Sequence, residues 1–207
     1  MILALVFFFI FAIPIFFASW RLMLASLGVQ TLVLALVTLQ HAHDLRHAFA
    51  AFELGVVRGV FVPTYLAHVA RSSRTASQLE VLPGNLLHWT LAFALVVGSA
   101  TFAAEVSLAD VPRAFDVAAS ASEVLIGFFI LSTQKQPLGQ AIGALSLENG
   151  VVFLETRGAH HLEIPVQVGI AVVFVLLVLQ LGWFLRRLAA EATPPGAPAT
   201  NGAGEVL

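Results

Sequence analysis

Seven apolar stretches, each about as long as one bilayer crossing, follow one another with only short polar breaks between them. They run approximately 2–19, 23–40, 48–70, 86–104, 116–132, 138–155 and 165–185. An α-helix rises about 1.5 Å per residue, so a hydrocarbon layer of about 30 Å is crossed by about 20 residues. Backbone N–H and C=O groups find no water in that layer, and helices satisfy them internally. The pattern therefore predicts an all-α, polytopic membrane helix bundle of about seven transmembrane helices. With 59% hydrophobic and 11% charged residues and a mean hydropathy of +0.93, the composition is that of a membrane protein rather than a soluble domain.

The opening MILALVFFFIFAIPIFFASW has no basic residue ahead of its apolar region, and Arg21 follows it. Secretory signals carry their charge first, so this stretch is expected to be a retained first helix. The last residues, 188–207, are rich in Pro, Gly and Ala and are expected to be a disordered tail. Four of the apolar stretches fall in 1–104 and three in 105–187.

Loop charges orient the bundle. Placed on alternate sides, Arg21, Arg71, Arg74, Lys135, Arg186 and Arg187 gather on one face, against Arg46, Arg113 and Arg157 on the other. Cytoplasmic loops carry the excess of Lys and Arg, so the N-terminus is expected outside and the C-terminus in the cytoplasm.

There is no cysteine, which excludes thiolate metal sites and Fe–S ligation by this chain. The net charge of -2 and the lack of a basic run point away from nucleic acid. No nucleotide loop, nucleophile elbow or zinc-protease helix is present. His41, His43, His47, His160 and His161 are expected together at the outer face, either merely solvated or able to hold a metal. His68 and His88 are expected near the inner face on consecutive helices, where a b-type haem is an alternative to solvation.

Four ionisable residues interrupt the apolar stretches: Glu53, Arg58, Glu123 and Glu148. A charge at the bilayer centre costs about 2.5–3.5 kcal/mol on insertion scales, so such groups face protein or water and mark ion pathways or buried polar pairs. Glu148 lies ten residues past Leu138, about 15 Å deep, beyond the reach of snorkelling. Gly139, Gly143, Ser146 and Gly150 form a stripe of small residues on the same helix. At about 100° per residue Glu148 points away from that stripe. A close-packed neighbour is expected on one face, and a partner subunit or water-filled axis over Glu148. Glu123, on the preceding helix, is expected at comparable depth beside Ser120, Ser122 and Gly127. Glu53 and Arg58 are five residues apart, which puts them on different faces of an α-helix, although long side chains reach across such a gap. Pro63 removes a backbone donor just beyond them and is expected to kink the helix.

The segment TQKQPLGQAIGALSLENGVVFLE (133–155), together with LASLGVQTLVLALV and VFVPTYLAHVARSSR, resembles the hydrogenase-4 component E family. These proteins are membrane subunits of energy-converting NiFe hydrogenases and formate hydrogenlyase-type complexes. The resemblance runs from about Leu22 to Arg187. Its last three spans are similar to the small three-helix membrane subunit of respiratory complex I and to the C-type subunit of Mrp antiporters. It implies a subunit without chemistry of its own in a redox-driven proton or sodium translocating complex of the cytoplasmic membrane. The partners it implies are antiporter-like subunits and a complex I-like membrane anchor. It implies no cofactor in this chain, with the NiFe centre and Fe–S clusters in partner subunits.

Glu148 matches the glutamate of the small subunit's middle helix, and Arg58 stands where the family often has an intramembrane Lys. The relay implied is Glu148 with Glu123, Arg58 and Glu53. One departure is clear. Gly169-Ile170-Ala171 is followed by Val172-Val173, where relatives place a second acid. Alternatives outside this reading are an Mrp-like cation antiporter subunit and a small b-type cytochrome using His68 and His88.

Overall fold

The protein is described by a computed structural model covering residues 2–16, 19–40, 44–72, 86–107, 110–157 and 163–191. All of its regular elements among these residues are helical. They are α1 (Ile2–Phe16), α2 (Trp20–Gln40), α3 (Leu45–Phe52), a π-helical stretch (Glu53–Phe61), α4 (Val62–Ser72), α5 (Leu86–Val106), α6 (Val111–Thr133), α7 (Pro137–Arg157) and α8 (Ile164–Glu191). α3, the π stretch and α4 follow one another without a break and form one rod.

Among the described residues, five helices are long and apolar enough to cross a membrane: Trp20–Gln40, Leu45–Arg71, Leu86–Val106, Val111–Thr133 and Ile164–Leu188. The chain is thus an all-helical protein with the makings of a multi-pass membrane protein. The remaining two stretches of the expected seven differ for separate reasons. α1 is only 15 residues long. α7 has 21 residues but carries Gln140, Ser146, Glu148 and Asn149, which lower its apolar character. α8 runs on to Glu191, past the expected end of the last span, and residues 192–207 of the expected tail lie outside the described residues.

α2 is the centre of the bundle. Over half (56%) of its most apolar window is buried, against 17% for α5 and for α8, which lie at the periphery. Its core face carries Met23, Leu24, Leu27 and Leu34. Hydroxyls on these helices are satisfied locally: Thr31 donates to the carbonyls of Leu27 and Gly28, Ser99 to Leu95 and Ser146 to Ile142. This return to the helix's own backbone lets Ser and Thr sit in apolar surroundings.

α6 and α7 are antiparallel and pack backbone to backbone. A Cβ on Gly127 would lie 2.5 Å from the Leu147 nitrogen and 2.8 Å from the Gly143 carbonyl oxygen. Gly150 faces Ser120, whose hydroxyl donates to the Gly150 carbonyl at 2.7 Å. The small-residue stripe is therefore the α6-facing side of α7, as its spacing predicts. The turn between them is held by Gln140, which donates to the Gln134 carbonyl at 3.1 Å. α7 also lies against α2, so the two parts of the chain interlock.

Two helix starts are capped by aspartate. Asp44 accepts from the His47 backbone N–H at 3.0 Å and Asp110 from that of Arg113 at 3.2 Å. At the same end of the bundle Arg46 pairs with Glu163 at 2.8 Å, joining the start of α3 to the start of α8. Both residues belong to loops that the alternation of spans places on one side.

Candidate functional site: two linked carboxyl centres

In an α-helix, residues five apart are separated by about 140° at about 100° per residue. Glu53 and Arg58 nevertheless meet, with Arg58 Nε donating to Glu53 Oε1 at 2.6 Å. This corrects the expectation that they occupy different faces. The cause is the π stretch that begins at Glu53: an i→i+5 hydrogen-bond pattern brings residues five apart about one turn above each other. The Val62 N–H bonding to the Val57 carbonyl closes one such wide turn. Pro63, where a kink was expected, thus stands just past the altered register.

Arg58 also reaches across to α7, where Nη1 makes an ion pair with Glu148 Oε1. Its guanidinium carbon stands 4.5 Å from the centre of the Phe174 ring of α8. The planar fork of Arg suits this double engagement, with Nε serving one carboxylate and Nη1 the other. Arg58 and Glu53 are buried, while the Glu148 side chain keeps 28% of its exposure. Glu148, expected to face a partner subunit or water, is thus also engaged by Arg58 of the same chain. A small cavity opens beside the pair, lined by Leu27, Arg58, Pro63, Glu148, Asn149 and Phe174. With all three groups ionised, the Glu53–Arg58–Glu148 triad carries one net negative charge.

Glu123 belongs to a second centre. It is as close in level to Glu148 as expected, since the α6–α7 contacts pair Ser120 and Val124 with Gly150, and Gly127 with Leu147. The two side chains diverge, however. Glu123 is 1% exposed, and its Oε2 accepts from Gln30 Nε2 at 3.0 Å. Its Oε1 is buried without a hydrogen-bond partner among the described residues. Gln30 Nε2 donates also to the Phe7 carbonyl of α1 at 3.1 Å. Gln30 Oε1 accepts from Asn149 Nδ2 at 3.2 Å, and Asn149 Nδ2 donates again to the Leu27 carbonyl at 3.2 Å. Glu148 and Asn149 are consecutive on α7 and about 100° apart around it, so each reaches a different centre.

The four expected residues thus divide into a triad and a separate carboxyl. Gln30 and Asn149, which connect them, were not among the expected site residues. Their signal was an amide inside an otherwise apolar span, present in both LGVQTLV and SLENGVV. Asp116 is also buried, two turns before Glu123 on the same face of α6.

Of the seven histidines, His47, His68 and His88 lie among the described residues. His68 is exposed on α4, while the His88 ring lies 5.8 Å from that of Phe129. His47 Nδ1 is 2.5 Å from Asp44 Oδ1. The backbone and side-chain hydrogen bonds from His47 hold the Asp44 carboxyl below its ordinary value. Among the described residues no three His, Cys, Asp or Glu side chains gather around a common point. His41, His43, His160 and His161 lie outside the described residues.

No protein-family model, curated protein or solved structure matches this chain.

Proposed function

We infer that this chain is a non-catalytic integral membrane subunit of a complex I-like, hydrogenase-type assembly, in which a peripheral redox module drives protons or sodium across the membrane. The observation that carries the reading is the Arg58 guanidinium held between Glu53 and Glu148 within apolar helices. A lone intramembrane charge is costly, and a chain that keeps three of them in contact has a use for them. The resemblance of residues 133–155 to the hydrogenase-4 component E family supports the same role. In this reading the chain crosses the cytoplasmic membrane seven times, with its N-terminus outside. It sits beside antiporter-like subunits and a complex I-like anchor, which hold any NiFe or Fe–S centre.

The mechanism is electrostatic. Two carboxylates share one guanidinium, so a change in charge at one alters the hold of Arg58 on the other. Proton uptake at Glu148, the more open of the two, releases Arg58 toward Glu53. The small cavity at Arg58 and Glu148 leaves space beside the carboxyl that takes the proton.

Glu148→Gln in the assembled complex, with redox-driven ion uptake measured in inverted vesicles, tests this. Coupled uptake is expected to fall while the complex stays intact. Undiminished uptake in an intact complex would remove the relay role.

A further inference from the structure

Gln30 is fully buried at the centre of the bundle, and all of its polar valences among the described residues point in one sense. Both hydrogens of its amide nitrogen are engaged, by the Phe7 carbonyl and by Glu123 Oε2. Its oxygen accepts from Asn149, whose own two amide hydrogens are engaged by Gln30 and by the Leu27 carbonyl. The Phe7 carbonyl fixes the orientation, because a flipped amide would set oxygen against oxygen at both Phe7 and Glu123. The result is a directional chain, Asn149 to Gln30 to Glu123, that begins one residue from Glu148 and ends on the other buried carboxyl.

We propose that Gln30 is a positioning residue through which Glu123 senses the charge on Glu148, the amide pair conveying orientation rather than a proton. The proposal rests on the relay reading of Glu148. Side-chain amides have no ionisation in the range where carboxyls and histidines titrate, so they do not pass a proton along as those groups do. They do transmit a shift of position. When Glu148 changes its hold on Arg58, the Glu148–Asn149 step of α7 moves with it. Asn149 moves Gln30, and the donor on Glu123 Oε2 tightens or slackens. Buried amide chains in a low dielectric are well suited to such coupling, since each bond polarises the next.

The test uses the full chain in lipid, with 13C at glutamate Cδ and 15N at glutamine Nε2, observed by solid-state NMR; Glu123→Gln identifies the Glu123 signal. A direct dipolar coupling between Gln30 Nε2 and Glu123 Cδ is expected in the natural sequence. Glu148→Gln is expected to displace the Glu123 Cδ signal by less than the jump from carboxylate to carboxyl, and the displacement is expected to vanish in a Gln30→Leu background. Absence of the dipolar coupling overturns the proposal, as does an equal displacement in Gln30→Leu. A full carboxylate-to-carboxyl jump overturns its exclusion of proton transfer. If Gln30→Leu fails to insert, Asn149→Leu cuts the link while keeping the Gln30–Glu123 bond, and the same displacement decides. These signals are read without ion pumping, so loss of the relay role and loss of this coupling register separately.

Discussion

Arg58 bonds to Glu53, five residues behind it on the same rod, at 2.6 Å, across the wide turn of the π stretch. From this relationship follows how the rod should respond when one member is lost.

Removing one partner of a buried ion pair costs roughly 3–5 kcal/mol, because the remaining charge is left uncompensated, whereas replacing the whole set with apolar groups of similar volume is often near neutral. Arg58→Met is therefore expected to destabilise the protein strongly in detergent or bicelle unfolding. Arg58→Met combined with Glu53→Leu and Glu148→Leu is expected to recover most of the loss. A triple variant as unstable as Arg58→Met would argue against the triad as a charge-balanced unit.

The α6–α7 contact makes a separate prediction. A Cβ on Gly127 meets backbone atoms of α7, not the pliable end of a side chain. Gly127→Val should separate the two helices and destabilise by about 1–3 kcal/mol, the usual scale of overpacking. Gly98→Ala, where an added Cβ meets nothing within 4 Å, serves as the control in the same unfolding measurement and should change little.

At the start of α3, the hydrogen bonds from His47 hold the Asp44 carboxyl below its ordinary value of 3.8. A carboxyl whose folded value is depressed stabilises the fold above 3.8 and loses that contribution as pH falls through the lower, folded value. The protection factors of the His47 and Ala48 amides, taken relative to intrinsic exchange at each pH, should therefore be full at neutral pH and fall in acid. Asp44→Ala should abolish that pH dependence, and an unchanged acid profile would rule out the cap.

The absence of cysteine makes orientation directly measurable. Single cysteines at Arg46 or Glu163 should react with an impermeant thiol reagent added outside intact cells, and those at Arg71 or Lys135 only after the inner face is exposed. The reverse pattern would invert the proposed topology. Labelling of all four from one side would contradict the alternation of spans.

Much of the helical layout was legible because the crossing length of a bilayer is imposed on the chain from outside and shows as runs of apolar residues. The close α6–α7 face was legible too, since Gly143, Ser146 and Gly150 recur at helical spacing. The shared face of Glu53 and Arg58 was not, because any angle assigned at 100° per residue presumes α geometry throughout, and the π stretch suspends it. Pro63 marked the place of the irregularity without revealing its form. Gln30 was hidden for a different reason. Its partners Glu123 and Asn149 lie 93 and 119 residues away, and a single amide in an apolar run has no periodicity to betray which helix it will face.

The π stretch also means that the rod spends more residues on its middle turns than an α-helix of the same height would need. Chain length itself is therefore part of the design there. Deleting one residue between Glu53 and Arg58 need not sever the rod. It would let the wide turn relax to ordinary α spacing. Glu53 and Arg58 would then stand four residues apart, still on one face, while everything beyond Phe61 met the rest of the bundle in a different rotational setting. An insertion or deletion in this segment would accordingly act as a turn of the screw on α4 rather than as local damage at the ion pair.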